Sequence, residues 1–167
     1  MAHTFYDGTI PVLQAILKTL THILHKAEQQ PNATTLPSAR LHENMYPLID
    51  QVRLATHFSE ALVARLTGRD EVKFDGSPTT FAEFYSRIET VLKALGEADK
   101  ETVNKSADVA APTKLGPEIS VPMSGAAYAH TVVLPNVYFH LTTAYGILRK
   151  EGVPLGKRDY YEGFFPQ

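Results

Sequence analysis

The chain has 167 residues, of which 44% are hydrophobic and 20% charged, and carries a formal net charge of −2. One domain spanning residues 1 to 167 is expected, with enough apolar content for a substantial core, and interspersed acids and bases leave no extended basic surface for nucleic acid. The absence of cysteine excludes disulfides, thiolate metal sites and a cysteine nucleophile, and MAHTFYDGTIP lacks the basic start and apolar stretch of a secretory leader, so a reducing, cytoplasmic setting is expected.

Leu13, Ile16, Leu17, Leu20, Ile23, Leu24 and Ala27 recur at three- and four-residue spacing, which predicts an amphipathic helix over about residues 10 to 29. Pro31, Asn32 and Pro37 form a polar connection. Leu48, Val52, Ala55, Leu62 and Leu66 then predict a second helix that stops near Gly68. Asp50, Arg53, His57 and Glu60 share one stripe of it, the pattern of a solvated charged face. Thr80 followed by Glu83 forms a capping box, in which hydroxyl and carboxylate each satisfy a free backbone N–H, and Phe81, Phe84, Ile88, Val91, Leu92 and Leu95 continue a third helix.

Between Gly96 and Met123 the helical spacing is lost. Pro112, Pro117 and Pro122 punctuate the segment, and Ile119 and Val121 alternate with polar neighbours, which predicts a short hairpin or an extended crossover. Ser124 suits the N-cap of a last helix, and Arg149, Lys150 and Gly152 suit its C-terminal end. The fold class is therefore all-α: a four-helix bundle with a long crossover between its third and fourth helices.

No formal charge occurs from Ile119 to Leu148. About 20 apolar residues can span a bilayer, but Pro135, Asn136, His130 and His140 make this stretch costly in hydrocarbon, so a buried bundle helix is expected and no membrane. In such a helix the polar groups of His130, Asn136, His140 and Tyr145 need partners or a cavity to line. Phosphate-cradling glycine loops, H-E-x-x-H, a G-x-S-x-G nucleophile elbow and paired Glu-x-x-His motifs are all missing, which removes the standard kinase, dehydrogenase and hydrolase readings.

The runs LPNVYFHLTTAYGILRKEGVPLGKRDY, at residues 134 to 160, and MYPLIDQVRLATHFSEALVARLTG, at residues 45 to 68, resemble a bacterial and fungal family grouped with the DinB/YfiT-like metalloenzymes, which are four-helix bundles. The resemblance extends in pattern over nearly the whole chain. It implies a divalent metal (zinc, nickel or iron) held by one histidine of the second helix and two of the fourth in an H-x-x-x-H arrangement, since residues four apart share a helix face. In this chain the second-helix candidate is His57, and the residue four before His140 is Asn136, so the implied metal ligands are His57, Asn136 and His140. His130 cannot join them in one continuous helix, being about 15 Å and about 80° from His140. A homodimer is a further implication of the resemblance.

Two functional classes follow. One is an enzyme acting on a small organic molecule in a core pocket, either through the metal or, without metal, as an isomerase or cyclase with His140 as acid or base and Asn136 and Tyr145 steadying an oxyanion. His130 and Asn136 are the substrate-binding candidates. The other is a non-catalytic bundle that binds a small ligand or a partner subunit. The tail VPLGKRDYYEGFFPQ also has two readings: Lys157, Arg158 and Asp159 contact an anionic ligand, or the aromatic residues fold back as a strap whose course the charges fix.

Overall fold

A computed structural model describes residues 2–116 and 118–165. Helix α1 (Ile10–Glu28) buries its predicted apolar stripe, and α2 (Leu48–Thr67) ends at Gly68, whose φ of 70° is the left-handed cap that glycine adopts without strain. Helix α3 (Phe81–Gly96) begins with the predicted capping box: Thr80 N donates to Glu83 Oε2 at 3.0 Å and Glu83 N to Thr80 Oγ1 at 3.3 Å. A short helix that the apolar spacing does not announce follows, α4 (Lys100–Lys105), started by Asp99 accepting from Thr102 N at 2.8 Å and pinned by buried Val103.

The crossover is a two-stranded antiparallel hairpin, β1 (Ala110–Lys114) with β2 (Ser120–Ser124), in the register Pro112↔Pro122. Ladder bonds run from Leu115 N to Ile119 O and from Gly125 N to Val109 O, so the proline pair falls at a position where the ladder needs no N–H. Pro117 lies outside the described residues. Arg65 of α2 fastens the hairpin by donating to Thr113 Oγ1 at 2.8 Å and to the Met123 carbonyl.

Ser124 caps α5 (Gly125–Tyr128) by accepting from Ala127 N at 3.1 Å; a π-helical turn (Ala129–Val133) and α6 (Leu134–Lys150) complete the rod. Pro135 explains the wide turn. Its ring would strike the carbonyl four residues earlier and it lacks an N–H, so an extra residue in the turn relieves both problems. At the far end, α7 (Lys157–Tyr161) and a 3₁₀ turn (Glu162–Phe164) form the strap, with Phe164 packed on the core and Gly163 N donating to Thr19 Oγ1 of α1 at 3.0 Å. Asp159 fixes its course through His22 Nε2 at 2.8 Å and Lys26 Nζ at 2.9 Å. The reading in which the tail charges set the path of an aromatic strap therefore describes Asp159.

In the bundle α2 packs along α6 and α3, and α1 along α3 and α6. Leu66 abuts Gly125 while Gln51 meets His140, so the rod runs antiparallel to α2. The charged stripe of α2 differs from expectation: Glu60 is 0% exposed, clamped by Arg69 through two bonds of 2.6 and 2.8 Å and by Val72 N at 2.9 Å. The segment following α2 thus folds back over the Glu60 end of this stripe, whereas His57 stays exposed as a solvated face predicts. Among the described residues no helix is long and apolar enough to cross a membrane.

Candidate functional site

His140 lies on the face of α6 turned to α2, with 6% of its surface exposed. Its Nδ1 is 2.8 Å from Gln51 Oε1, and Gln51, 2% exposed, donates through Nε2 to the Tyr46 carbonyl at 2.9 Å. That second bond assigns the amide: its oxygen faces the ring, so Nδ1 carries the proton and Nε2 holds the lone pair. Burial, followed by the nearby Arg53 guanidinium, lowers the imidazole pKa to about 4 against the opposing pull of Asp50, and the ring is neutral at pH 7.

The other ring nitrogen opens outward. Among the described residues no fully enclosed side-chain nitrogen or oxygen lacks a hydrogen-bond partner, and Nε2 has none, so it reaches solvent through the recess that His140 lines. This recess, about 180 Å³, is walled by Asn44, Met45, Tyr46, Gln51 and Phe139. The Phe58 ring stacks on the imidazole from within, at 6.3 Å between centroids and 14° between planes, and Phe139 meets it edge-on at 5.4 Å. Packed against two aromatic rings and hydrogen-bonded at Nδ1, the imidazole presents a single acceptor to whatever enters.

The remaining sequence-derived candidates sit elsewhere. His57 has 49% of its side chain exposed and pairs its Nδ1 with Glu71 Oε1 at 3.2 Å. Six residues from Gln51, it is rotated by about 120° around α2. Asn136 is on the same side of α6 as His140, but its Nδ2 donates to the Val132 carbonyl in the π turn at 2.7 Å. Tyr145 is half-buried and packs edge-on against Tyr160 at 6.0 Å. His130 is exposed, its ring 5.8 Å from Phe5. Only His140 of the five lines the recess.

The metal implied by the resemblance requires His57, Asn136 and His140 to converge on one point, and as arranged they face three different surroundings. Among the described residues no group of three or more His, Cys, Asp or Glu side chains is placed to hold an ion. As placed, His57 is paired with Glu71 and Asn136 with the Val132 carbonyl, so the three implied ligands are not gathered into one site among the described residues.

A family model described as Domain of unknown function (DUF1993) matches residues 5–161. The chain belongs to this family. A crystal structure of a DinB family member protein from Shewanella denitrificans is 36% identical to this DUF1993 chain over 93% of its length and 90% of its own, with a TM-score of 0.83. The DinB-like helical fold that the resemblance implies is thus the fold of this chain. The comparison with curated proteins returns no match.

The sequence reading of this DUF1993 chain missed Gln51, Tyr46 and Phe58. A signal for Gln51 was available: it stands three residues after Leu48 and four before Ala55, a polar side chain in an apolar register. Tyr46 and Phe58 have no comparable signal, because their roles depend on how α2 meets α6.

Proposed function

We propose that this DUF1993 member binds a small organic molecule in the His140 recess and uses the neutral imidazole, without metal, as its acceptor. The observation that supports this is the hydrogen bond to Gln51, which commits Nδ1 as donor and leaves the Nε2 lone pair directed at the recess. The exposed rings of Tyr46 and Phe139 stand at the mouth, suited to the apolar part of a ligand whose O–H or N–H meets Nε2. The chemistry open to this arrangement is a proton shift within the bound molecule. Nε2 takes a proton from one atom of the ligand and returns it to another, as in an isomerase or cyclase, with no oxidant or reductant consumed.

The decisive experiment is a fragment screen by NMR on protein purified without chelator or affinity tag, read at the His140 ring and the Gln51 side-chain amide, with elemental analysis of the same sample. Fragments that shift both signals in the wild type and neither Gln51 nor its neighbours in His140→Ala bear the reading out. A stoichiometric metal that is lost in His140→Ala overturns the metal-free reading, and a screen without any response at this recess overturns the site.

A further inference from the structure

A second hollow, on the opposite side of α2, has the reverse electrostatic character. Arg87 stands in the apolar register of α3, three residues after Phe84 and four before Val91, and is 9% exposed. Its Nε donates to Thr56 Oγ1 at 2.8 Å, and Nη1 reaches the Gly76 carbonyl at 3.5 Å. One face of the guanidinium lies over the Phe74 ring, 4.0 Å from its centroid.

What Arg87 lacks is an acid. Its charged neighbours are committed: Glu60 is consumed by Arg69, and Glu83 by Thr79 and Thr80. Asp75 lines an adjoining hollow with Arg87, yet no ion pair joins them among the described residues. Nη2 makes no hydrogen bond among the described residues and, since no fully enclosed side-chain nitrogen goes without one, it opens to solvent. Arg87 lines, besides that adjoining hollow, one of about 380 Å³ shared with Arg53, His57, Glu71, Lys73 and Phe74 among others.

Cations predominate there even after pairing is counted. Arg53 shares Asp50 at 2.8 Å and His57 shares Glu71 at 3.2 Å, which leaves Arg87 and Lys73 with no carboxylate among the described residues. Burial, and then repulsion from Arg53, holds the Arg87 pKa below its usual value, but a guanidinium does not discharge in a protein, so its charge stays in place. The walls are preformed, because buried Glu60 ties Arg69 and Val72 N and so anchors the segment that carries Lys73 and Phe74.

We infer that this hollow is an oxyanion site, in which the open Nη2 of Arg87, with Arg53 beside it and Lys73 at the rim, binds the carboxylate or phosphate of a small organic molecule. A charge-assisted N–H donor of this kind suits such groups, and the neighbouring cations add to its pull. This hollow and the His140 recess share no lining residue, so the inference stands or falls independently of the proposed function.

Sodium phosphate and sodium acetate, each titrated into the full chain against sodium chloride at matched ionic strength, separate the two chemistries. Saturable shifts of the Arg87 Nε–H signal and of backbone amides in the 71–76 segment are expected, with the Gln51 side-chain amide unmoved. A saturable response to phosphate alone, to acetate alone or to both supports the site and names its ligand class. Arg87→Lys should weaken the response by ~10-fold, and Lys73→Ser, an exposed position that does not bear on folding, by a few-fold. No saturable response to either anion, shifts that map away from Arg87, or wild-type affinity in Lys73→Ser together with a folded Arg87→Lys would overturn it.

Discussion

The two faces of α2 handle a buried base in opposite ways. Toward α6, His140 meets burial by staying unprotonated, and one neutral amide, that of Gln51, is enough to satisfy its N–H. Toward α3, Arg87 experiences the same desolvation and cannot give up its proton, so it spreads its charge over Phe74, Thr56 and a carbonyl and keeps one nitrogen open. A base able to titrate makes a neutral acceptor site, whereas one unable to titrate makes a site that waits for an anion.

The comparison breaks most visibly if the wall of the cationic hollow is not held from inside. Arg69→Ala leaves Glu60 buried without its cation and should cost ~3–5 kcal/mol in urea unfolding. A loss below about 1 kcal/mol would mean that the segment after α2 is not anchored by this pair.

The neutral side is tested by pH. With a folded pKa of about 4 against an ordinary 6.5, His140 leaves the unfolded chain holding more protons within that interval. Its stabilising contribution is therefore complete above pH 6.5 and is lost as pH falls toward 4, by about 2–3 kcal/mol. Unfolding measured at pH 7 and pH 4.5 should show a smaller loss in His140→Gln than in the wild type, and equal losses would place the imidazole in water.

Two smaller substitutions sharpen the boundary between the faces. Asn136→Ala should cost ~1 kcal/mol by removing the bond to the Val132 carbonyl, with the His140 ring signals unchanged if the amide belongs to the helix and not to the recess. His57→Ala should change stability by less than about 0.5 kcal/mol, since its pair with Glu71 is exposed. A loss several times larger would tie His57 to the buried network.

The four long helices were legible because their apolar residues recur at helical spacing, and the Thr80–Glu83 box and the Ser124 cap because caps are local. Helix α4 was not, since six residues are too few to establish a period. At the site, His140 stood out as a polar residue in an uncharged stretch. Gln51, Glu60 and Arg87 were hidden in plain view: each occupies a position that helical spacing assigns to the core, yet each reads by residue type as surface. His57 was misleading for the converse reason, since its imidazole suggests chemistry while its angular position on α2 carries it away from His140.

The surplus residue in the turn from Ala129 to Val133 makes the last rod a coupling with a set phase. A regular helix advances about 100° per residue, so deleting one residue there would swing either the hairpin away from Arg65 or the imidazole away from Gln51, and both ends could not keep their present aim. Length within those five positions is consequently constrained more tightly than composition, and a family member with one residue fewer would have to rebuild one end of the rod.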